Sequence, residues 1–166
     1  MDALFKRRSV RQYADRDVDD ALLKKVLAAG MAAPSAGDEQ PWHFIVVRDR
    51  ETLKALGACG PYARPAAAAP VAIVVCADLA LERYKGYWVQ DCSAAVENML
   101  IETAALGLGA VWLGVYPVED RVAYIAGLFR LPKGIVPLAV VPVGHPLHEA
   151  RETDRYREDR IHREHW

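Results

Sequence analysis

The 166-residue sequence has few cysteines and no long apolar run. Its three cysteines, Cys59, Cys76 and Cys92, are odd in number and widely spaced, so they fit neither a disulfide framework nor a paired zinc motif. No apolar segment approaches the roughly 20 residues that cross a bilayer, and the N-terminal residues are charged where a signal peptide would be apolar. We therefore expect reduced thiols, a cytoplasmic location and no membrane partner.

The sequence also lacks an excess of either charge. It carries 21 basic and 22 acidic side chains, with a formal net charge of −1. Such a chain has no overall field that would hold a polyanion, so nucleic acid is not an expected partner and any anion must be bound locally. Apolar residues make up 52% of the sequence, which is enough for one sizeable core at this length.

Common catalytic and metal-binding motifs are missing as well. There is no G-x-S-x-G element. His162 and His165 lie three residues apart, but no acidic or cysteine partner stands at a recognised ligand spacing, so no metal site is expected. Gly107 and Gly109 match the first spacing of a dinucleotide fingerprint, but the third glycine position holds Trp112 and the segment runs from a helix into a strand. That order favours the end of a helix over a phosphate loop.

Hydrophobic periodicity predicts helices that alternate with strands. The segment from Asp17 to Gly30 is apolar on one face and acidic in its first turn, which predicts a helix. A short helix is predicted at RETLKALGACG, and a longer one, from Trp88 to Leu106, is apolar enough for burial on more than one side, with Cys92 in the core rather than a nucleophile. Four strands are predicted at FIVVR, PVAIVVCAD, AVWLGVYP and VPLAVVPVGHP, the first of them covered on both faces.

The last twenty residues form a separate, charged segment. Eleven of them are charged, and such a segment cannot make its own core. It is either disordered or an arm that lies across another surface, and the aromatic Trp166 at its end favours the arm. We therefore assign residues 1–146 to one domain and residues 147–166 to an arm of the same domain.

Two segments are candidate binding elements. In KRRSVRQY, Arg7, Arg8 and Arg11 surround the hydroxyl of Ser9, and these groups suit a phosphate monoester, although a solvated basic helix end has the same composition. In APSAGDEQPWHFIVV, residues 33–47, a polar turn with two prolines leads directly into an apolar strand. The loop is longer than a chain reversal needs, which indicates a bound group.

These two elements, together with DCSAAVENMLIETAALGLGAVWLG and VPVGHP further along, resemble the FMN-dependent nitroreductase family in order and spacing. The resemblance covers the chain from Arg7 to about Arg155. It implies an α+β fold in which helices surround a mixed β-sheet, and an interlocked homodimer with a swapped C-terminal arm. It also implies FMN at each subunit boundary and NADH or NADPH as electron donor, so that residues 1–146 would be an FMN-binding domain.

The same resemblance implies how the chain would hold the phosphate end of FMN. Arg7, Arg8 and Ser9 would bind the phosphate, and Arg155 would be a second phosphate-binding cation. Arg11 would reach the ribityl chain or the pyrimidine edge of the ring. On this reading the basic cluster is a binding site rather than a solvated helix end.

The ring end of FMN would be held by both subunits. By resemblance, the second subunit would contribute its own Pro34, Ser35 and Ala36 along the isoalloxazine, while Leu113 and Gly114 would present backbone N–H groups near flavin N5. A donor at N5 stabilises charge on the reduced ring. No catalytic side chain is then required, because the flavin carries the redox chemistry.

Two departures from the family pattern affect this site. Asp38 stands where many relatives have asparagine, and an ionised carboxylate can only accept hydrogen bonds, so its flavin contact would be lost or redirected. Thr153 stands where lysine is common, which leaves less positive charge near the phosphate.

Tyr84, Tyr87 and Trp88 border the long helix, where they would either stack on a planar substrate or fix the helix to the core.

Three functions remain open on the sequence. The first is an FMN oxidoreductase that takes hydride from NADH or NADPH and reduces nitroaromatics, quinones or related small-molecule acceptors in alternating half-reactions. The second uses the same flavin fold for dehalogenation, heterocycle dehydrogenation or flavin fragmentation, and the lack of an obvious long lid disfavours it. The third is a non-enzymatic flavin-binding dimer, which only Asp38 and Thr153 support.

Overall fold

The computed structural model describes residues 2–148 and 154–166, which form a five-stranded sheet with helices on both faces. The helices are α1 (Asp2–Lys6), α2 (Asp20–Met31), α3 (Arg50–Gly57), α4 (Arg64–Ala68), α5 (Trp88–Ala105) and α6 (Glu119–Leu128). The strands are β1 (Trp42–Val47), β2 (Val71–Asp78), β3 (Gly109–Ala110), β4 (Leu113–Gly114) and β5 (Ile135–Gly144). Short 3-10 turns lie at Ala36–Asp38 and Glu158–Arg160. Within the described ranges no helix is both long and apolar enough to cross a bilayer.

The strands run in the order β1-β2-β5-β3, and β4 also pairs with β5. All of these pairings are antiparallel. The parallel component of the sheet is a bridge between Ser9 and Ala110, which lies on the outer side of β3. The sheet is therefore mixed only where the N-terminal segment joins it.

The predicted third strand is present but divided into β3 and β4. Gly109 lies opposite Gly144 and Gly114 opposite Ala139, so both pieces keep one register along β5. Continuing that register places Pro142 opposite the gap between them, and proline has no N–H to donate to a ladder. The division follows from the missing donor and not from a turn in the chain.

The prediction that the first strand is covered on both faces holds in part, because Trp42 and Phe44 pack on one face of the sheet and Ile45 and Val47 on the other. β1 pairs with β2 alone and forms the edge of the sheet. Trp42 and Val47 are buried, but His43 is exposed and Val46 is 41% exposed. A short run of β-branched residues does not distinguish a central strand from an edge strand, because strands of both kinds pack apolar side chains against the faces of a sheet.

The core consists of two apolar clusters, one on each face of the sheet. Alternate residues of β2 point to opposite faces, with Ile73 in the cluster under α2 and α5 and Val74 in the cluster under α3, α4 and α6. The predicted burial of α5 on more than one side is confirmed, since it buries Cys92, Val96 and Met99 among others. Each large side chain buried in this way contributes about 2 kcal/mol.

The N-terminal segment, residues 9–14, lies along the outer edge of β3. The N–H of Val10 donates to the carbonyl of Ala110 over 2.9 Å, and the N–H of Ala14 donates to the carbonyl of His145 over 2.9 Å. These bonds place Ser9 and Arg11 next to β3 and β4. The candidate phosphate residue Ser9 and the candidate ring residues Leu113 and Gly114 therefore share one edge of the sheet.

Candidate functional site

Three arginines line one surface cavity at the end of α1. Arg7, Arg8 and Arg155 surround a space of about 520 Å³, together with Leu4, Phe5, Asp154 and Tyr156. Arg7 is held in place because its Nε lies 3.3 Å from Glu97 Oε1, on α5. The structure thus brings together the three arginines that were predicted from distant parts of the sequence. Thr153 lies outside the described residues.

A second, smaller cavity lies along β4. It has a volume of about 230 Å³, and its lining includes Arg11, Tyr62, Trp112, Gly114 and Arg121. Leu113 belongs to the same lining, so Leu113 and Gly114 share one cavity with Arg11. Its basic side chains give the cavity positive charge next to an exposed strand backbone.

The N–H of Gly114 points away from the sheet. Val115 donates its N–H to the carbonyl of Leu138 on β5, and consecutive residues of a strand turn their N–H groups to opposite sides. Gly114 therefore turns both of its backbone polar groups away from β5. No atom lies within 4 Å of the position that a Gly114 Cβ would occupy, so the backbone here is open to a flat ligand.

Arg121 fixes the other polar group of Gly114. Its Nη1 donates to the Gly114 carbonyl over 2.9 Å. Sequence reasoning missed Arg121 and Tyr62, and an arginine on an amphipathic helix gives no sign of which carbonyl it will reach. Tyr62 is 82% exposed beside the same cavity. In the sequence, its only signal was an aromatic side chain near a glycine.

The loop of residues 34–40 is a compact turn held by its own polar groups. Ser35 Oγ accepts the Gln40 N–H over 3.0 Å, and Gln40 Nε2 donates to Asp38 Oδ1 over 2.7 Å. Asp38 has a positive φ of 56°, which aspartate tolerates better than most residues. The Asp38 carboxylate thus accepts a hydrogen bond inside the loop.

Two buried carboxyl groups lie here, Glu39 in the loop itself and Asp91 beneath it on α5. Asp91 Oδ1 accepts the Ala36 N–H over 2.9 Å. Glu39 Oε2 accepts the N–H groups of Arg83 and Tyr84, over 2.6 and 3.2 Å. The pKa of Asp91 is raised, first by burial and then by Glu39, against the lowering effect of the Ala36 N–H. Sequence reasoning missed this pair, because both residues lie in segments that carried the family resemblance but nothing in the sequence showed that their carboxyl groups come together.

The three candidate substrate residues separate into two environments. Tyr84 and Tyr87 are 55% and 48% exposed, near the loop. Trp88 is buried in the core and packs edge-on against Tyr116, with ring centroids 4.8 Å apart. The assignment of Trp88 as a substrate residue is therefore corrected: it fixes the start of α5, and the two tyrosines remain as exposed candidates.

The loop does not join the arginine cavities within one chain. Pro34, Ser35 and Ala36 lie near the start of α5, and no residue of the loop lines either cavity as the described residues define them. Tyr84 packs on Gly37, where any side chain would collide with its ring. A second chain would have to supply the loop if it is to meet Gly114.

The other titratable groups form no further candidate site. Among the described residues no cluster of histidine, cysteine and acidic side chains could hold a metal ion. Cys76 and Cys92 are buried, and burial raises the pKa of each thiol to about 12. Thiols of that pKa are not nucleophiles at neutral pH, so the expectation that Cys92 is a core residue is confirmed.

Comparison with known proteins identifies the family. The model of the Nitroreductase family matches residues 4–68 and 59–145. A Methanothermobacter thermautotrophicus protein named "Putative NADH dehydrogenase/NAD(P)H nitroreductase" is 50% identical over 166 residues, covering 100% of this chain and 87% of that protein. A crystal structure from Clostridium acetobutylicum has a TM-score of 0.97 at 43% identity and covers 99% of both chains. An FMN-dependent nitroreductase of Clostridium difficile has a TM-score of 0.92 at 28% identity and covers 100% of both.

The fold is that of a class of flavin-dependent oxidoreductases. The chain belongs to the nitroreductase family. The α+β fold and the family predicted from the sequence are thereby confirmed.

Proposed function

We propose that the chain is an FMN-dependent oxidoreductase that takes hydride from NADH or NADPH and reduces nitroaromatics, quinones or related acceptors in alternating half-reactions. Its family membership and its likeness to an FMN-dependent nitroreductase support this proposal. The observation that carries it is the pairing of an arginine cavity with the outward N–H of Gly114 along one sheet edge. The three buried cysteines favour a cytoplasmic enzyme.

The arginine cavity suits the phosphate of FMN. Arg7, Arg8 and Arg155 offer planar donor groups, which match the oxygens of a phosphate monoester. Ser9 follows them and adds a hydroxyl donor. Asp154 in the same lining removes part of the positive charge, so we expect the phosphate to bind next to Arg7 and Arg8 rather than centrally.

The cavity along β4 suits the ring. FMN, when bound, supplies the hydride chemistry, and the protein supplies binding, orientation and electrostatics. The N–H of Gly114 is directed out of the sheet, where it can donate to a ring nitrogen. Arg11 and Arg121 place positive charge beside the same space, which favours an anionic ring edge. No side-chain acid or base is required.

The complete site requires a homodimer. The loop that carries Pro34, Ser35 and Ala36 lies apart from the arginine cavities of its own chain, and the described tail residues 154–166 are all exposed. Both features fit two chains that exchange the loop and the residue 147–166 arm. Tyr84 and Tyr87, exposed beside the loop, would then border the open side of the ring, where planar acceptors can stack.

The test is an anaerobic flavin assay on the purified chain. We expect stoichiometric FMN in the protein, bleaching of its visible bands by NADH or NADPH, and return of colour when a quinone or nitroaromatic is added. Bound FMN that stays oxidised with both nucleotides would contradict the enzyme and favour a flavin-binding dimer. Failure to bind added FMN would contradict the proposal as a whole. Parallel assays with halogenated phenols separate the dehalogenase alternative.

A further inference from the structure

The buried carboxyl groups of Glu39 and Asp91 have more hydrogen-bond acceptors than there are donors around them. Glu39 is 7% exposed and Asp91 5% exposed. Glu39 Oε1 and Asp91 Oδ2 are buried and have no hydrogen-bond partner among the described residues, while the other oxygen of each carboxyl accepts backbone N–H groups. Ala36 links the two residues, because its N–H donates to Asp91 Oδ1 over 2.9 Å and its carbonyl accepts the N–H of Glu39 over 3.1 Å, and the pKa of Asp91 is raised first by burial and then by the nearby Glu39 carboxyl. One proton between the two bare oxygens would satisfy both.

Two ionised carboxylates in this position would be costly. Each would bring a buried charge that faces a like charge, and no arginine or lysine head group is recorded as an ion-pair partner of either within the described residues. Asp91 has one backbone donor, whereas Glu39 has two. Protonating Asp91 therefore costs less than protonating Glu39, because fewer backbone N–H groups stabilise the charged form of Asp91.

We propose that Asp91 is retained as a carboxylic acid that donates from Oδ2 to Glu39 Oε1, and that this bond positions the loop of residues 34–40 against the segment that carries Tyr84. Asp91 holds the loop through Ala36, and Glu39 holds the Tyr84 segment through two N–H groups. The inference rests on the proposed function, in which the loop borders the flavin and Tyr84 borders the acceptor. Glu39 and Asp91 are positioning residues, since neither lines the arginine cavities.

The charged groups around Asp91 determine the direction of its pH dependence. Glu39 comes from the loop and Glu82 from the segment before α5, and both raise the pKa of Asp91, with burial as the larger cause. Glu82 itself accepts the N–H of Gly86, and the guanidinium of Arg83 donates to the carbonyl of Gly37 over 2.8 Å. Because the folded state binds the proton more tightly, the stabilisation is full below the ordinary value of 3.8 and is lost as pH rises through the raised pKa.

Asp91→Asn supplies a matched replacement for the acid. Its amide N–H donates to Glu39 at every pH, and its carbonyl still accepts from Ala36, whereas Asp91→Ala removes both contacts. We expect FMN affinity of the wild-type dimer, measured by quenching of flavin fluorescence, to fall with rising pH. It should stay constant in Asp91→Asn and be about tenfold weaker in Asp91→Ala throughout. A pH profile of Asp91→Asn that follows the wild type would overturn the proposal.

Infrared spectroscopy of the full chain without flavin detects the proton directly. At about pH 6, where an ordinary aspartate is ionised, we expect a carbonyl band of a buried carboxylic acid that shifts in D₂O. The band should vanish in both Asp91→Asn and Glu39→Gln and persist in Glu51→Gln, an exposed carboxylate on α3. Absence of the band in the wild type would overturn the proposal.

Amide exchange separates this inference from the proposed function. The N–H groups of Ala36, Arg83 and Tyr84 should exchange more slowly in the wild type and Asp91→Asn than in Asp91→Ala at the same pH. A chain that binds no FMN but shows the infrared band of the carboxylic acid and slowly exchanging amides would refute the flavin site. The hydrogen bond between Asp91 and Glu39 would still be supported. Turnover with FMN in a chain whose amides are not protected would refute the hydrogen bond between Asp91 and Glu39. The proposed enzyme activity would still be supported.

Discussion

At the scale of single residues, the geometry of the cavity along β4, the proposed ring cavity, depends on which groups bind the backbone of β4. Gly114 turns both polar groups away from the sheet, and Arg121 binds its carbonyl. The resemblance to the family implied a role for Gly114. It could not predict Arg121, whose partner is a backbone group that any residue would present.

Arg121→Met tests the support of β4. The change removes the donor to the Gly114 carbonyl and a positive charge beside the ring cavity. We expect FMN binding to weaken by about 1 kcal/mol, roughly fivefold, because the bond is charge-assisted but partly exposed. Fluorescence quenching measures the affinity, with the exposed Arg130→Met as control. Equal affinities in the two variants would show that Arg121 does not support the ring site.

Asp38→Asn tests the departure from the family pattern. Asparagine tolerates the positive φ of 56° at this position and adds an N–H donor where the carboxylate can only accept. It also removes a negative charge beside the proposed flavin loop. We expect FMN to bind about threefold more tightly, a gain of roughly 0.7 kcal/mol. An unchanged dissociation constant, with Asp17→Asn as the charge control, would place Asp38 out of reach of the flavin.

At the scale of elements, the attachment of residues 9–14 to β3 determines where the residues proposed to bind the FMN phosphate lie. A Cβ at Gly109 would lie 2.7 Å from the Cβ of Val10 and from both of its methyl groups. The approach is tighter than side chains permit, so this part of the chain needs glycine. The glycine pattern around Gly107 was correctly interpreted as the end of a helix, and Gly107 has a φ of 72°.

Gly109→Ala should displace the N-terminal segment. We expect a loss of about 2 kcal/mol in the free energy of unfolding from overpacking, together with weaker FMN binding because Ser9 and Arg11 move. Chemical denaturation and flavin titration measure the two effects. Gly127→Ala, in α6, is the control: no atom lies within 4 Å of its Cβ position, so it should stabilise the helix. Wild-type stability and affinity in Gly109→Ala would contradict the close packing.

The elements that sequence patterns predicted are those with one clear period. α2, α5, β2 and β5 appear where periodicity or a buried apolar run indicated them. The edge position of β1 could not be predicted, because the pattern of a strand does not reveal whether a neighbour lies on its outer side. The pairing of Glu39 with Asp91 was equally hidden, since it depends on the loop folding onto the start of α5.

At the scale of the whole molecule, the exposed tail is the strongest sign of a second chain. Every described residue from 154 to 166 is exposed, although the segment includes Tyr156, Ile161 and Trp166. His162 and Trp166 stack on each other with centroids 4.2 Å apart. Large apolar side chains on a segment without a core of its own fit an arm that packs on a partner.

A chain that ends at Asp154 tests the arm. Removing residues 155–166 should shift the molecule from dimer toward monomer and weaken FMN binding by more than about tenfold, since Arg155 and the dimer contacts are lost together. Light scattering after gel filtration measures the mass. Arg155→Gln in the full chain should lower FMN affinity while the dimer persists, which separates the charge from the arm. A truncated chain that stays dimeric would contradict the swapped arm.

The contact of residues 9–14 with β3 and with His145 has a consequence for how the protein is made. The segment that carries Ser9 and Arg11 leaves the ribosome well before its docking sites at Ala110 and His145 are synthesised. A nascent chain interrupted before β5 cannot assemble the edge on which the phosphate residues lie. Capture of FMN would therefore mark a finished polypeptide, and prematurely terminated products would not withdraw flavin from the cellular pool.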